Sequence, residues 1–251
     1  MSPKISVFII TFNEENIIAK CLEKLSFADE IVVVDSGSTD KTVEICNQFN
    51  AKVILNKFEN FGIQKQVALN QTINNWVLSL DADEVLSDEL ILELQNFDTS
   101  LAGFNIPRTH VFLNKIFKYG SENRKPILRF FNKYHGNFEQ NKIHEKIIVN
   151  GKIGVLKNEM LHYTVFDIAT AFRKNIDYSI LSGHFLFEKG KKTSILKIVL
   201  KIPYEFLRMY FLHLNFMNGY QGFVWSIYCS LGSFLKYAKL HELQNQEINS
   251  L

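Results

Sequence analysis

WVLSLDADE, residues 76–84, is a short, nearly continuous apolar run that ends directly in Asp81, Asp83 and Glu84. A run of this length and character suits a strand buried on both faces of a parallel sheet. Upstream, residues 62–72 (GIQKQVALNQT) have the pattern of a helix, and Lys52–Leu55 that of a strand. Glu30–Asp35 (EIVVVD) is another buried strand, closed by the polar turn Ser36–Asp40. Thr39 or Asp40 can cap the helix that follows, which runs to about Phe49. The first strand is Ile5–Ile10, and the spacing of Thr11 and Glu14 is a capping box that predicts a helix over Glu15–Leu25. Downstream of the acids, Leu86–Leu94 reads as a helix. Strand and helix thus alternate four times, which predicts an α/β class with a parallel sheet covered by helices on both faces. In such sheets ligands bind beyond the carboxyl ends of the strands. Every polar cluster named above falls at such an end.

The rest of the chain reads differently. Gly103–Pro107, Leu128–Phe131, Ile147–Val149 and Leu161–Tyr163 are short strand candidates, and from Ile168 the pattern is helical. Of the 251 residues 47% are hydrophobic, enough for a full core and against disorder. The net charge of +2 hides an asymmetry. Residues 1–170 carry 18 Lys and Arg against 21 Asp and Glu, whereas residues 171–241 carry 10 against 3. The basic part is also the aromatic part, a pairing that points to an anionic lipid or nucleic-acid neighbour. Cys21, Cys46 and Cys229 are odd in number and widely spaced, and are read as reduced and structural. No basic segment followed by an apolar one opens the chain, so a protein that is not secreted is expected.

Asp81 and Asp83, one residue apart at a strand end, can both turn toward one hard cation, Mg²⁺ or Mn²⁺, shared with a diphosphate. Asp35 closes the second strand, where an acid can accept hydrogen bonds from a base or ribose; it can equally be a turn-holding Asp. Thr11, Asn13 and Glu14 can cap a helix, contact a nucleotide, or do both. No G-x-G-x-x-G or G-x-x-x-x-G-K-[ST] is present, which removes support for dinucleotide and P-loop readings.

FIITFNEE (8–15), IVVVDSGSTDKT (31–42), FGIQKQVALN (61–70) and LSLDADE (78–84) closely resemble, in order and spacing, the family 2 glycosyltransferases with the GT-A fold, a Rossmann-like, mostly parallel sheet. The likeness continues through LRFFNKYHGNFEQNKIHEKIIVNGKIGVLKNEMLHYT (128–164), similar to the lipopolysaccharide-core β-1,4-glucosyltransferase branch, and through YEFLRMYF (204–211) and NGYQGF (218–223). The resemblance implies a GT-A catalytic domain over residues 1–165, with a nucleotide-sugar-binding half (1–100) and an acceptor-side half (101–165). A C-terminal helical region follows over 166–251, and its own pattern of residues is what suggests association with a membrane. The resemblance further implies that Thr11, Asn13, Glu14 and Asp35 hold the nucleoside and that Lys65 approaches the base or diphosphate. Asp81 would lie near ribose and metal, and Asp83 would ligate the metal. Many relatives place an acidic pair where the catalytic base sits; this chain has Ile143, His144 and Glu145, and Glu145 is the candidate base. An inverting transfer needs one carboxylate to take the acceptor proton, and metal and cations stabilise the departing diphosphate. His144 and His162 are read as structural, with contact to phosphate or metal as the alternative. Arg129 is able to face the diphosphate but is given no role.

Residues 209–235 contain no charged side chain, long enough to span a bilayer. His213, Asn215, Asn218, Gly219, Gln221, Gly222 and Gly232 would be costly or helix-weakening there, which argues against a simple span. Upstream, Lys197, Lys201, Glu205 and Arg208 line one helical face, and an amphipathic helix of that kind fits a membrane surface. The activity the resemblance implies is an inverting transfer of a hexose, glucose from a UDP-sugar, to a lipid-linked or lipopolysaccharide-core saccharide, and with the tail reading it is expected at the inner face of a bacterial cytoplasmic membrane. The alternatives are a polyprenyl-phosphate acceptor, or a non-catalytic nucleotide-binding scaffold. A nucleotidyltransferase lacks its usual Gly-rich basic loop here. Nucleic acid is not expected, because the tail's aromatics sit in apolar runs rather than interleaved with cations.

Overall fold

The computed structural model describes residues 3–138 and 146–249. In chain order the elements are β1 (Ile5–Thr11), α1 (Ile18–Glu23), β2 (Glu30–Asp35), α2 (Thr42–Gln48), β3 (Lys52–Leu55), α3 (Phe61–Asn70), β4 (Trp76–Asp81), β5 (Glu84–Leu86) and α4 (Asp88–Gln95). There follow β6 (Gly103–Phe112), β7 (Lys115–Ile116), β8 (Lys125–Asn132), β9 (Gly136–Phe138), β10 (Ile147–Val149), β11 (Ile153–Val155) and β12 (Met160–Val165). The helices α5 (Ile168–Glu188), α6 (Ile195–Leu207) and α7 (Tyr220–Asn249) close the chain, with a π-helical turn Arg208–Leu212 and a 3-10 turn Asn215–Asn218 between the last two. Two compact units emerge: residues 1–109 with 124–163, and residues 110–123 with 164–251.

The first unit is built on a sheet of order β3-β2-β1-β4-β8-β6-β12-β5. Its β3-β2-β1-β4 part is parallel, and β8 joins β4 and β6 in antiparallel fashion. All seven residues of β1 are buried, as a central parallel strand requires. Alternation along the strands sends successive side chains to opposite faces. Val7, Ile9, Val33, Leu78 and Leu80 therefore join Ile18, Leu22 and Leu90 in one core. Phe8, Ile10, Val32, Val34 and Val77 join Ala68 and Leu69 in the other. Helices on both faces of the sheet follow from this split, as the alternating pattern predicts.

Several boundaries shift for local reasons. The helix expected from Glu15 starts at Ile18. Asn13 takes a left-handed φ of 54°, and the Glu14 N–H that a capping box would tie to Thr11 donates instead to Thr42 Oγ1 at 2.8 Å. The helix expected from Leu86 starts at Asp88, because residues 84–86 pair as β5 with β12. Ser87 caps it, accepting from Leu90 N at 3.2 Å. Asn60 caps α3 in the same way, from Ile63 N at 2.9 Å. All three cysteines are free, and Cys21 and Cys46 are buried. Burial pushes the Cys46 thiol up to about 11 and the Cys21 thiol well above its usual value.

The second unit is helical around an aromatic core of Phe112, Phe117, Met209 and Trp225. Its charge-free stretch contains polar residues because they bond internally. Asn218 Oδ1 accepts from Lys118 N (3.1 Å) and Tyr119 N (3.3 Å), and its Nδ2 donates to Tyr119 O at 3.0 Å. Asn215 Nδ2 donates to Met209 O at 2.9 Å. A Cβ at Gly222 would lie 1.8 Å from Asn215 O, and one at Gly232 would lie 2.3 Å from Asn175 Oδ1. Only glycine lets these elements approach so closely. Among the described residues no helix is long and apolar enough to cross a membrane. Of the polar stripe of α6, Lys197 stays exposed, whereas Lys201 is half-buried and Glu205 buried, with Arg208 folded onto Glu205. Lys201 Nζ lies 3.2 Å from Glu205, whose other oxygen meets Arg208 at 2.6 Å. The Nζ atoms of Lys197 and Lys201 stand 4.6 and 5.1 Å from the ring of Tyr237 on α7.

Candidate active site

Strand register brings the predicted polar residues to one rim. Thr11 pairs with Asp35 across β1 and β2, and Ile10 pairs with Asp81 across β1 and β4. The carboxyl ends of these three strands therefore lie side by side, as the parallel topology requires.

Asp35 is almost fully buried, and its carboxylate holds the turn behind it. Oδ2 accepts from Gly37 N and Ser38 N, each at 2.8 Å, and Oδ1 from Ser38 Oγ at 2.5 Å. A carboxylate offers about four acceptor positions, so three are used and about one is left for a ligand. The turn-holding role is thus real, and it leaves room for a nucleoside contact. Asn13 locks onto the same turn: its N–H donates to Ser38 Oγ at 2.8 Å, and its Oδ1 accepts from Thr39 N at 2.8 Å. Thr11 Oγ1 is buried at this rim without a hydrogen-bond partner among the described residues. Such an orphaned hydroxyl is costly unless something supplies a partner.

The DAD turn is embedded in a chain of ion pairs. Lys65, 1% exposed on α3, places Nζ 2.9 Å from Asp81 Oδ1. Arg129 on β8 reaches Asp81 Oδ2 at 2.6 Å and Glu84 Oε1 at 2.7 Å. Glu84 is wholly buried; its other oxygen accepts from Asp81 N at 3.0 Å, and Arg108 stands 3.4 Å away. Burial alone would raise the Asp81 pKa, but Arg129 and Lys65 override it and hold this carboxyl well below the usual range. Burial works against the Arg129 charge too, and Asp81 and Glu84 more than compensate.

Asp83 faces differently. Its Oδ2 lies 3.1 Å from His162 Nε2, and both side chains keep about a fifth of their surface open (21% and 19%). His162 reaches this point because β12 pairs with β5, opposite Glu84; Tyr163 N then donates to Asp83 O at 2.8 Å. Burial disfavours the imidazolium, yet Asp83 outweighs it and raises the His162 pKa. A carboxylate and an imidazole, adjacent and partly open, are two donors of the type a divalent cation takes, the imidazole once a cation has displaced the proton that Asp83 favours, with positions left for phosphate oxygen and water. Asp81 fits that task less well, since both of its oxygens already meet cations. Among the described residues no cluster of three such ligands occurs. Glu145 and His144, with Ile143, lie outside the described residues. A cavity of about 840 Å³ beside Lys133, His135 and Phe138 lies toward the other end of β4, where Asn132 pairs with Trp76, and contains none of these groups.

In the sequence Glu84 and Arg108 carry no expected role, Arg129 is able to face the diphosphate but has none assigned, and His162 is structural with phosphate or metal contact as the alternative. Their signal was faint: lone cations inside otherwise apolar strands (IPRTHVF, ILRFF), and a third acid after the DAD.

The family model for Glycosyl transferase family 2 matches residues 6–153. An uncharacterized glycosyltransferase of Rickettsia typhi is 33% identical, over 98% of this chain and 89% of its own length. The lipopolysaccharide core biosynthesis glycosyltransferase LpsC of Rhizobium meliloti is 30% identical, over 96% of this chain and 94% of its own length. Among solved structures, glucosyl-3-phosphoglycerate synthase of Mycobacterium tuberculosis, in complex with Mn²⁺, UDP and glucosyl-3-phosphoglycerate, overlaps 43% of this chain and 44% of its own, at 22% identity and a TM-score of 0.36. With the family model covering more than half of the chain and relatives matching it nearly end to end, the acid-rimmed sheet belongs to an enzyme of sugar transfer, a member of glycosyltransferase family 2.

Proposed function

We propose that this chain transfers glucose, with inversion, from UDP-glucose to a lipid-linked saccharide of the lipopolysaccharide-core type. The observation that carries the reading is the open Asp83–His162 pair beside a buried, cation-locked Asp81 at the strand ends. The acceptor class is supported by the 30% identical relative named for lipopolysaccharide core biosynthesis.

In this reading the nucleoside lies against Thr11, Asn13, Glu14 and Asp35, with the orphaned Thr11 hydroxyl and the remaining Asp35 acceptor as its polar contacts. Asp83 and His162 would hold a divalent cation, Mn²⁺ or Mg²⁺, with Asp81 beside them. A cation held there would neutralise the negative charge that develops on the departing diphosphate. Lys65 and Arg129 fix the Asp81 carboxylate, and Glu84 fixes its backbone, so the turn carrying Asp83 is preorganised before substrate arrives. Glu145 is assigned as the base that takes the acceptor hydroxyl proton as that oxygen attacks the anomeric carbon.

Thermal stabilisation by UDP, GDP, CMP and dTDP, with and without Mn²⁺, tests the reading. A ligand at about 100 times its Kd stabilises the folded state by about 2.7 kcal/mol. UDP is expected to raise Tm only with Mn²⁺, and Asp83→Asn or His162→Ala to abolish that rise. Metal-independent stabilisation that survives in both variants would refute the assignment. Release of pyrophosphate instead of nucleoside diphosphate would refute sugar transfer from UDP-glucose.

A further inference from the structure

α6 is amphipathic in the reverse of the usual sense. Its inward side is formed by Ile198, Lys201 and Glu205, at spacings of three and four, continued four residues on by Met209 in the π-helical turn, and all are buried or half-buried. The charges on that side are satisfied internally by the Lys201–Glu205–Arg208 cluster and the ring of Tyr237. The opposite side carries Leu196, Leu200 and Leu207, which are 69%, 53% and 53% exposed. These positions repeat at four and seven residues and so form one stripe. The turns after α6 extend the apolar exposure with Phe211, Leu212, Phe216 and Met217, and Leu212 is 79% exposed. Soluble monomers rarely expose a contiguous apolar patch of this kind unless it meets a partner.

The charges around the patch select the partner. Residues 189–220 carry six Lys and Arg against a single Glu. Lys191 and Lys192 are exposed immediately before α6. A second copy would bring the same basic rim against itself, whereas anionic headgroups complement it. An apolar stripe with cations at its edge is the arrangement of a helix lying in the plane of a lipid surface.

We propose that the outward stripe of α6 and the two turns after it dock this protein on an anionic phospholipid surface, the leucine and phenylalanine side chains entering the acyl-chain boundary and Lys191 and Lys192 meeting the headgroups. This goes beyond the transferase reading and is independent of donor and acceptor. Insertion supplies the attachment and the lysines add to it, so binding outlasts screening of the charges.

The test is flotation of the full-length protein with phosphatidylcholine vesicles, with and without phosphatidylglycerol, at low salt and at about 1 M salt, where the Debye length is about 3 Å. Wild type is expected to float with the anionic vesicles and to stay partly bound at high salt. Leu196→Ser/Leu200→Ser/Leu207→Ser should weaken partitioning by roughly tenfold or more, since each change removes exposed apolar surface that lipid would cover. Lys191→Glu/Lys192→Glu should weaken it by a smaller factor and erase the preference for phosphatidylglycerol. All substituted side chains are exposed, and unchanged urea midpoints would show that the variants fold. The proposal is overturned if wild type fails to float, if high salt releases it completely, or if the leucine variant floats like wild type. It is also overturned if light scattering shows a wild-type dimer that the leucine variant loses while neither binds vesicles.

Discussion

Arg129→Met probes the ion-pair chain beneath the DAD turn. One guanidinium nitrogen of Arg129 serves both Asp81 Oδ2 (2.6 Å) and Glu84 Oε1 (2.7 Å). Methionine keeps much of the volume and removes the charge. Asp81 is 28% exposed and retains Lys65 at 2.9 Å, so its loss is moderate. Glu84 is 0% exposed and keeps, among the described residues, Arg108 at 3.4 Å and the Asp81 N–H at 3.0 Å. Breaking a buried pair costs about 3–5 kcal/mol, because the surviving charge is left uncompensated. The remaining partners of Glu84 put this case near the lower end, about 3 kcal/mol. At roughly 2–4 °C per kcal/mol for a chain of this size, Tm should fall by about 6–12 °C. Urea and thermal unfolding measure the loss, and Mn²⁺-dependent UDP binding reports whether the DAD turn has slackened. Glu84→Gln supplies the control: the double variant should lose about 1–3 kcal/mol less than the sum of the singles. A loss below about 1 kcal/mol for Arg129→Met, or strictly additive losses, would refute the claim that these charges form one interdependent network.

Glu145→Gln should leave UDP stabilisation intact while transfer falls by about a hundredfold or more; transfer at the wild-type rate would move the base elsewhere. Glu205 is buried on α6, and although burial pushes its pKa up, Arg208 and Lys201 outweigh that and hold it below the usual value. A depressed carboxylate contributes stability above its unfolded pKa of about 4.3 and loses it as pH falls through the folded value. Glu205→Gln should therefore be less stable than wild type by roughly 1–2 kcal/mol at pH 7, with the gap closing below about pH 4 in urea melts; a pH-independent gap would contradict the pairing. Burial and the raised thiol pKa of Cys46 and Cys21 predict that both resist a thiol-specific reagent at about pH 8 in the native protein and react on unfolding. Rapid labelling of either residue in the native protein would count against the buried assignment.

The parallel half of the sheet was legible because β1, β2 and β4 are buried on both faces and so appear as unbroken apolar runs, each ending in a polar cluster. Parallel topology alone then places Thr11, Asp35 and Asp81 on one rim. Residues 14–17 misled for a physical reason: the N–H that a capping box would claim was taken by Thr42, a partner 28 residues away that no local pattern reveals. The same holds for the site's supporting charges. Arg129 meets Asp81 and Glu84 from 48 and 45 residues away, and His162 reaches Asp83 only through the pairing of β12 with β5. On α6 the spacing fixed a charged stripe and an apolar stripe, but not which one turns inward. That was decided by tertiary packing, where Glu205 neutralises Lys201 and Arg208 and the Tyr237 ring lies beside Lys201, so the middle of the charged stripe is satisfied against α7 while Lys197 and the leucines stay outside. Sequence determines which side chains share a face; only the fold determines what that face meets.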